Sequence, residues 1–199
     1  MKKTILDSIY EIHKNQLKNL PFPHKKLFIC FSGVPGSGKT YVAKKIEERY
    51  KAVRVNNDDI REIIRKIVEK SKNNVDVNEI EQLLDKYLIN FLNNYTFPNK
   101  TIILDSGIER RSDKIKKLAK NLGFKIFLIK MISSRKNCEK GVIKKLGKLD
   151  ENFMNNISRW IKENKEFNKS HKANFEIKNY CNIKLNLEGL FAKLNEFIL

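Results

Sequence analysis

The chain has 199 residues, 41% of them hydrophobic, with 41 lysines and arginines against 23 acids and a net charge of +18. That length suits one well-buried α/β domain with a small insertion, and no apolar run reaches the length of a membrane span, so no membrane partner is expected. Cys30, Cys138 and Cys181 are far apart and His13, His24 and His171 show no ligand spacing, so neither a structural metal nor a disulfide framework is expected, and a reducing cytoplasm is the default setting. The positive charge suits a polyanionic partner. Its lysines, however, are scattered over every predicted helix among abundant asparagine and isoleucine, as compositional bias also produces. Charge here supports a nucleic-acid hypothesis without creating one.

Residues 4–20 predict an amphipathic helix with Ile5, Ile9, Ile12 and Leu20 on one face, ended by Pro21 and Pro23. It forms an N-terminal extension, 1–26, ahead of a domain over 27–199. The segment lacks the apolar run and small-residue cleavage site of a signal peptide. Leu27 to Phe31 is a short unbroken apolar run, as a strand buried on both faces requires. Gly33 to Thr40 follows, then a helix over Lys39 to Arg49 with Val42, Ala43 and Ile46 at helical spacing. Ala52 to Val55 predicts a second strand. Asn56-Asn57-Asp58-Asp59 leads into a helix bearing Ile60, Ile63, Ile64, Ile67 and Val68. After a break at Ser71 to Asn74, a cleaner helix spans Val77 to Asn94, and Asn94 to Lys100 connects it to a third strand, Thr101 to Asp105. Ser112 or Asp113 is the expected cap of a basic helix ending near Gly123. Phe124 to Met131 predicts strand four. A basic segment from Arg135 to Lys148, a helix from Asp150 to Phe167, a strand within Asn174 to Leu185 and a helix from Leu187 to Ile198 complete the chain.

Strands alternating with helices predict an α/β three-layer fold: a mostly parallel five-stranded sheet with helices on both faces and a small helical lid over about 133–150. Ligands of such sheets bind beyond the carboxyl ends of the strands. GVPGSGKT lies there, and it reads G-x-x-x-x-G-K-[ST], the phosphate-binding loop, in the required strand–loop–helix context. Glycines let the backbone wrap phosphates so that N–H groups point inward, and the helix N-terminus favours the anion. The expected nucleotide-binding residues are Gly33, Val34, Pro35, Gly36, Ser37, Gly38, Lys39, Thr40 and Tyr41. Lys39 is expected on the β/γ-phosphates and the Thr40 hydroxyl on Mg²⁺.

Three further groups fall at the same edge. Asp58 and Asp59 open a helix, and two adjacent carboxylates exceed what an N-cap needs; one can accept a proton from an attacking hydroxyl, with Arg61 holding an anionic acceptor. Asp105 ends an apolar strand, as expected of a carboxylate that holds Mg²⁺, while a plain strand-end turn residue is the alternative. Arg110 and Arg111 follow it. Arg135, Lys140, Lys144 and Lys145, with Gly141 and Gly147 as hinges, make a candidate basic flap over the phosphates; an exposed charged helix is the alternative. Phe153, Ile157, Trp160 and Ile161 keep helical spacing and are expected in packing.

Taken together, GVPGSGKT, NNDDIR and a strand ending in DSG resemble the P-loop kinases related to polynucleotide 5′-hydroxyl kinases and zeta toxins, over roughly Leu27 to Met131. The resemblance implies that Asp58 is the base activating a hydroxyl and Arg61 the acceptor clamp. Lids in these kinases usually present arginines; here the centre is lysine-rich, between Arg135 and Arg159, and lysine lacks the planar fork. The implied activity is an ATP- and Mg²⁺-dependent kinase. Its acceptor is the 5′-hydroxyl of a polynucleotide, or alternatively a nucleotide sugar or other small hydroxyl compound. A nucleotide-switched module that binds RNA or protein is the reading from another class.

Overall fold

The computed structural model describes residues 26–70, 77–94, 101–179 and 183–198. The expected helix over 4–20, His13, His24, Cys181, the break at 71–74 and nearly all of the 94–100 connector lie outside the described residues. Strands β1 (Leu27–Ser32), β2 (Val53–Asn56), β3 (Thr101–Gly107), β4 (Lys125–Ile132) and β5 (Phe175–Lys178) form one sheet in the order β2-β3-β1-β4-β5. β1 pairs in parallel with β3 and β4, and β4 with β5. The helices are α1 (Lys39–Tyr50), α2 (Asn57–Lys70), α3 (Val77–Asn94), α4 (Ser112–Leu122), α5 (Arg135–Leu146), α6 (Glu151–Ser170) and α7 (Ile183–Ile198). None of the described helices is long and apolar enough to cross a membrane.

Central position explains the composition of β1, since every one of its residues is buried. Side chains alternate across the sheet. Leu27, Ile29 and Phe31 therefore enter a cluster with Val42, Ala43 and Ile46 of α1 and Leu187, Leu190 and Leu194 of α7. Phe28 stacks on Phe124, with ring centroids 4.3 Å apart. Complete burial pushes the Cys30 thiol up to about 12. Being protonated and inaccessible, it is expected to resist iodoacetamide at pH 8 until the chain is unfolded. Peptide mass mapping after native and denaturing labelling checks this, and native labelling of Cys30 would contradict the packing.

Residues 55–70 and 77–94 group as one compact unit and the remaining described residues as another. Within the first, α2 packs on α3, and Ile60, Ile64, Ile80, Leu83, Leu84 and Tyr87 are buried. Three local expectations need correction. Neither Ser112 nor Asp113 caps α4: its N-cap is Arg111, without a side-chain cap bond, because Ser112 is buried inside the first turn. The carboxyl end is as expected, with Gly123 left-handed at φ 71 and its N–H on the carbonyls of Ala119 and Lys120. Helix α7 starts at Ile183 rather than Leu187, and α6 runs one turn past Phe167 to Ser170.

Candidate active site

Gly33 to Thr40 joins β1 to α1, as its sequence requires. The N-cap of α1 is Gly38, which makes no side-chain cap bond, and the first turn contains no acid. The helix therefore adds no negative charge of its own at its N-terminus. Lys39 Nζ donates to the carbonyls of Gly33 and Val34 at 2.6 and 3.0 Å, and the Ser37 N–H donates to Val34 at 3.1 Å. The Val34 side chain anchors the loop, packed with Cys138 and Val142 of α5 and Phe153 and Ile157 of α6. Pro35 and Tyr41 are exposed. Ser37 is buried, and its Oγ has no hydrogen-bond partner among the described residues.

Helix α5 meets this loop backbone to backbone. A Cβ on Gly36 would overlap the Cys138 carbonyl, and one on Gly141 would overlap the Gly36 carbonyl oxygen. Gly36 also sits at φ 81, where other residues are strained. Gly141 is thus a close-approach residue inside a helix, and Gly147, at φ 78, is the helix C-cap. Burial raises the Cys138 thiol, against a hydrogen bond from Ser133 and the positive charge of Lys39.

Asp105 is brought to the loop by a bulge. Cys30 pairs with Leu104 but Phe31 with Gly107, which leaves Asp105 and Ser106 extra on β3. A bulge re-aims the side chains it carries. The Thr40 hydroxyl donates to Asp105 Oδ1 at 3.1 Å, and Arg54 Nη1 donates to Oδ2 at 2.8 Å. Arg54 Nε also donates to Glu47 at 2.9 Å. Burial opposes the charge of Arg54, but its hydrogen bonds to Asp105 and Glu47 outweigh this and raise its pKa. Arg54 escapes sequence reading because a charged residue inside a four-residue strand looks like a solvent-facing position.

Two more contacts have no signature in the sequence. The Gly33 N–H donates to Glu109 Oε1 at 2.7 Å, and Asn179 Nδ2, just after β5, donates to the Ser37 carbonyl at 2.8 Å. Both come from segments distant in sequence, and asparagine is too abundant in this chain for any single one to stand out.

Asp58 and Arg61 belong to the unit over 55–70 and 77–94. The cap of α2 is Asn56, whose Oδ1 accepts from the N–H groups of Asp58 and Asp59 at 2.7 and 3.2 Å. Capping therefore requires neither carboxylate, contrary to the expectation that one of them serves it. Asp58 pairs with Arg61 at 2.8 Å. Arg110 is exposed and held by two nitrogens on Glu163, Arg111 stands at the start of α4, and Arg135 pairs with Glu139 one turn along α5. Lys140, Lys144 and Lys145 are exposed on α5. Phe153 and Ile157 are buried with Trp160 and Ile161 packed against them, as expected of core residues.

A family model described as an AAA domain matches residues 28–163, more than half of the chain. The chain belongs to this AAA-domain family. Comparison with curated proteins gives no match. Among solved structures, an APS kinase of Mycobacterium tuberculosis in complex with AMPPNP and APS is similar at 12% identity and a TM-score of 0.52, over 87% of this chain and 99% of that one. A gluconokinase from Sinorhizobium meliloti is similar at 14% identity and a TM-score of 0.54, over 86% of this chain and 92% of the other. These likenesses show the P-loop NTPase fold, the architecture expected from the sequence.

In this AAA-domain chain the donor set fits a nucleotide with its metal. Around the loop are Lys39, the N-terminal amides of α1 and the buried Ser37 hydroxyl, which has no hydrogen-bond partner among the described residues. Thr40 Oγ1 and the Asp105 carboxylate are adjacent hard oxygens of the kind Mg²⁺ takes.

Proposed function

We propose that this protein is a kinase that transfers the γ-phosphate of ATP to a hydroxyl acceptor. One observation supports it above the rest: Thr40 of the phosphate-binding loop and the bulge-borne Asp105 share a hydrogen bond at 3.1 Å, beside Lys39. In this reading the loop amides and Lys39 hold the phosphates, and Thr40 with Asp105 holds Mg²⁺. The metal, when bound, neutralises charge on the phosphates. Asp58 accepts the proton of the attacking hydroxyl, and Arg61 exchanges its ion pair with Asp58 for the acceptor.

The acceptor we favour is a small hydroxylated molecule. The similar folds are named APS kinase and gluconokinase, and this chain covers nearly all of each. The second reading, a polynucleotide 5′-hydroxyl, draws support from the net charge of +18 and the NNDDIR segment. Transfer of labelled γ-phosphate tests both, with sugars, nucleosides, nucleotide sugars and 5′-hydroxyl oligonucleotides as acceptors. Asp58→Asn is expected to lower transfer by about 10²–10⁴-fold, the span of general-base catalysis, with ATP affinity nearly unchanged. Normal turnover by that variant would remove Asp58 from the mechanism. Label on an oligonucleotide alone would favour the second reading. Bound ATP with no transfer to any acceptor would favour a nucleotide-switched binding module.

A further inference from the structure

A chain of polar side chains converges on the root of the phosphate-binding loop. Glu109 Oε1 accepts from the Gly33 N–H at 2.7 Å and from Asn164 Nδ2 at 2.8 Å. Asn164 Oδ1 accepts from Asn168 Nδ2 at 3.0 Å, and Asn168 Oδ1 accepts from the Ser32 hydroxyl at 2.8 Å. At the far end the buried Lys130 Nζ donates to the Asn168 carbonyl at 2.9 Å. One continuous network thus links the end of β1, the turn after β3, β4 and two residues one turn apart on α6.

This arrangement is costly if it only fills space. Two asparagines of α6, four residues apart on one face, are committed to it. A carboxylate beside a site built for a polyanion works against binding through charge. A polar network in a packed region contributes orientation when every member is satisfied. Here the oriented group is the Gly33 peptide, from which the whole loop departs. Gly107 makes room for the carboxylate, since a Cβ at that position would clash with Glu109 Oε2. Helix α6 also reaches the loop a second time, through Phe153 and Ile157 against Val34.

We infer that Glu109 is the positioning residue of the phosphate-binding loop, held in place by Asn164 and Asn168, so that α6 is a working part of the nucleotide site. The inference rests on the nucleotide-binding reading above but not on transfer or on the acceptor. It separates two effects of Glu109, the hydrogen bond that shapes the loop and the charge that opposes the nucleotide.

The test is titration of the full chain with a fluorescent ATP analogue and Mg²⁺, with thermal unfolding followed in parallel. Glu109→Ala removes the acceptor and is expected to weaken binding about tenfold or more, the scale of a charge-assisted hydrogen bond. Glu109→Gln keeps an acceptor and removes the charge, and is expected to bind as tightly as the wild type or more tightly. Asn164→Ala is expected to lose about threefold, and to add nothing in the Glu109→Ala background. A purely structural role would lower the melting temperature without separating the Ala and Gln variants. The inference is overturned if Glu109→Ala binds at wild-type affinity, or if Glu109→Gln is as weak as Glu109→Ala. Should Glu109→Ala fail to fold, Asn164→Ala decides: weaker binding at an unchanged melting temperature supports the role, and unchanged binding overturns it. A wild-type chain that binds no analogue would sink the nucleotide reading itself, and this inference with it.

Discussion

Replacing Arg54 by alanine is expected to destabilise the fold by about 3 kcal/mol, the low end of what breaking a buried ion pair costs. The carboxylate it leaves behind is the reason. The Asp105 side chain is 1% exposed, against 15% for Arg54, so the guanidinium stands where solvent would otherwise meet the carboxylate. The second partner, Glu47, is 41% exposed and adds little, because solvent screens that half of the bridge. For a chain of this size the loss corresponds to a fall in melting temperature of roughly 6–12 °C. Arg54→Lys should recover only part of it, because an ammonium cannot present two donors in fixed directions to two carboxylates. Nucleotide binding should also need more Mg²⁺ in Arg54→Ala, since Asp105 is no longer fixed opposite Thr40. Calorimetry and a Mg²⁺ titration of nucleotide binding check both parts. A loss below about 1 kcal/mol would mean that Asp105 is stabilised by something other than this pair.

Gly141→Ala is expected to harm the protein where helix chemistry alone predicts a gain. Inside an exposed helix this change normally stabilises by about 1 kcal/mol, because glycine is the poorer helix former. At position 141 the added Cβ would overlap the Gly36 carbonyl oxygen, and one turn earlier on the same helix the Cys138 carbonyl already lies against Gly36. Backbone against backbone leaves no side chain free to rotate away. Either α5 lifts or the phosphate-binding loop shifts. The overpacking is expected to cost about 1–3 kcal/mol, and displacement of Gly36 to weaken nucleotide binding by about tenfold or more. Denaturant unfolding and nucleotide titration measure the two separately. A stabilised variant with intact binding would show that α5 moves off the loop without cost, as a hinged flap would.

That contrast with a flap shows where sequence reasoning reached its limit. Two glycines in a lysine-rich segment suggested hinges, because sequence shows only that glycine is permissive. In the folded chain one glycine is permissive for contact and the other for a helix C-cap. The same limit applies to the caps. Asn56, Asp58 and Asp59 are all competent at a helix start, and in the folded chain it is the Asn56 side chain that accepts from the N–H groups of the first turn.

The sequence by itself determined the order and type of the elements over the described residues, and the place of the glycine-rich loop between the first strand and its helix. Burial on both faces of a central parallel strand demands an unbroken apolar run, which Leu27 to Phe31 displays, and a loop that wraps phosphates demands glycines and a lysine at fixed local spacing. Both requirements are met within a few consecutive residues, so both can be read from them. Tertiary structure alone decided what surrounds the loop: Arg54 on Asp105, Glu109 on Gly33, Asn179 on Ser37 and Gly141 on Gly36. Each of these partners lies 51 to 142 positions away where a hydrogen bond joins them. Strand order and a bulge in β3 bring them together, and neither leaves a local pattern in the chain.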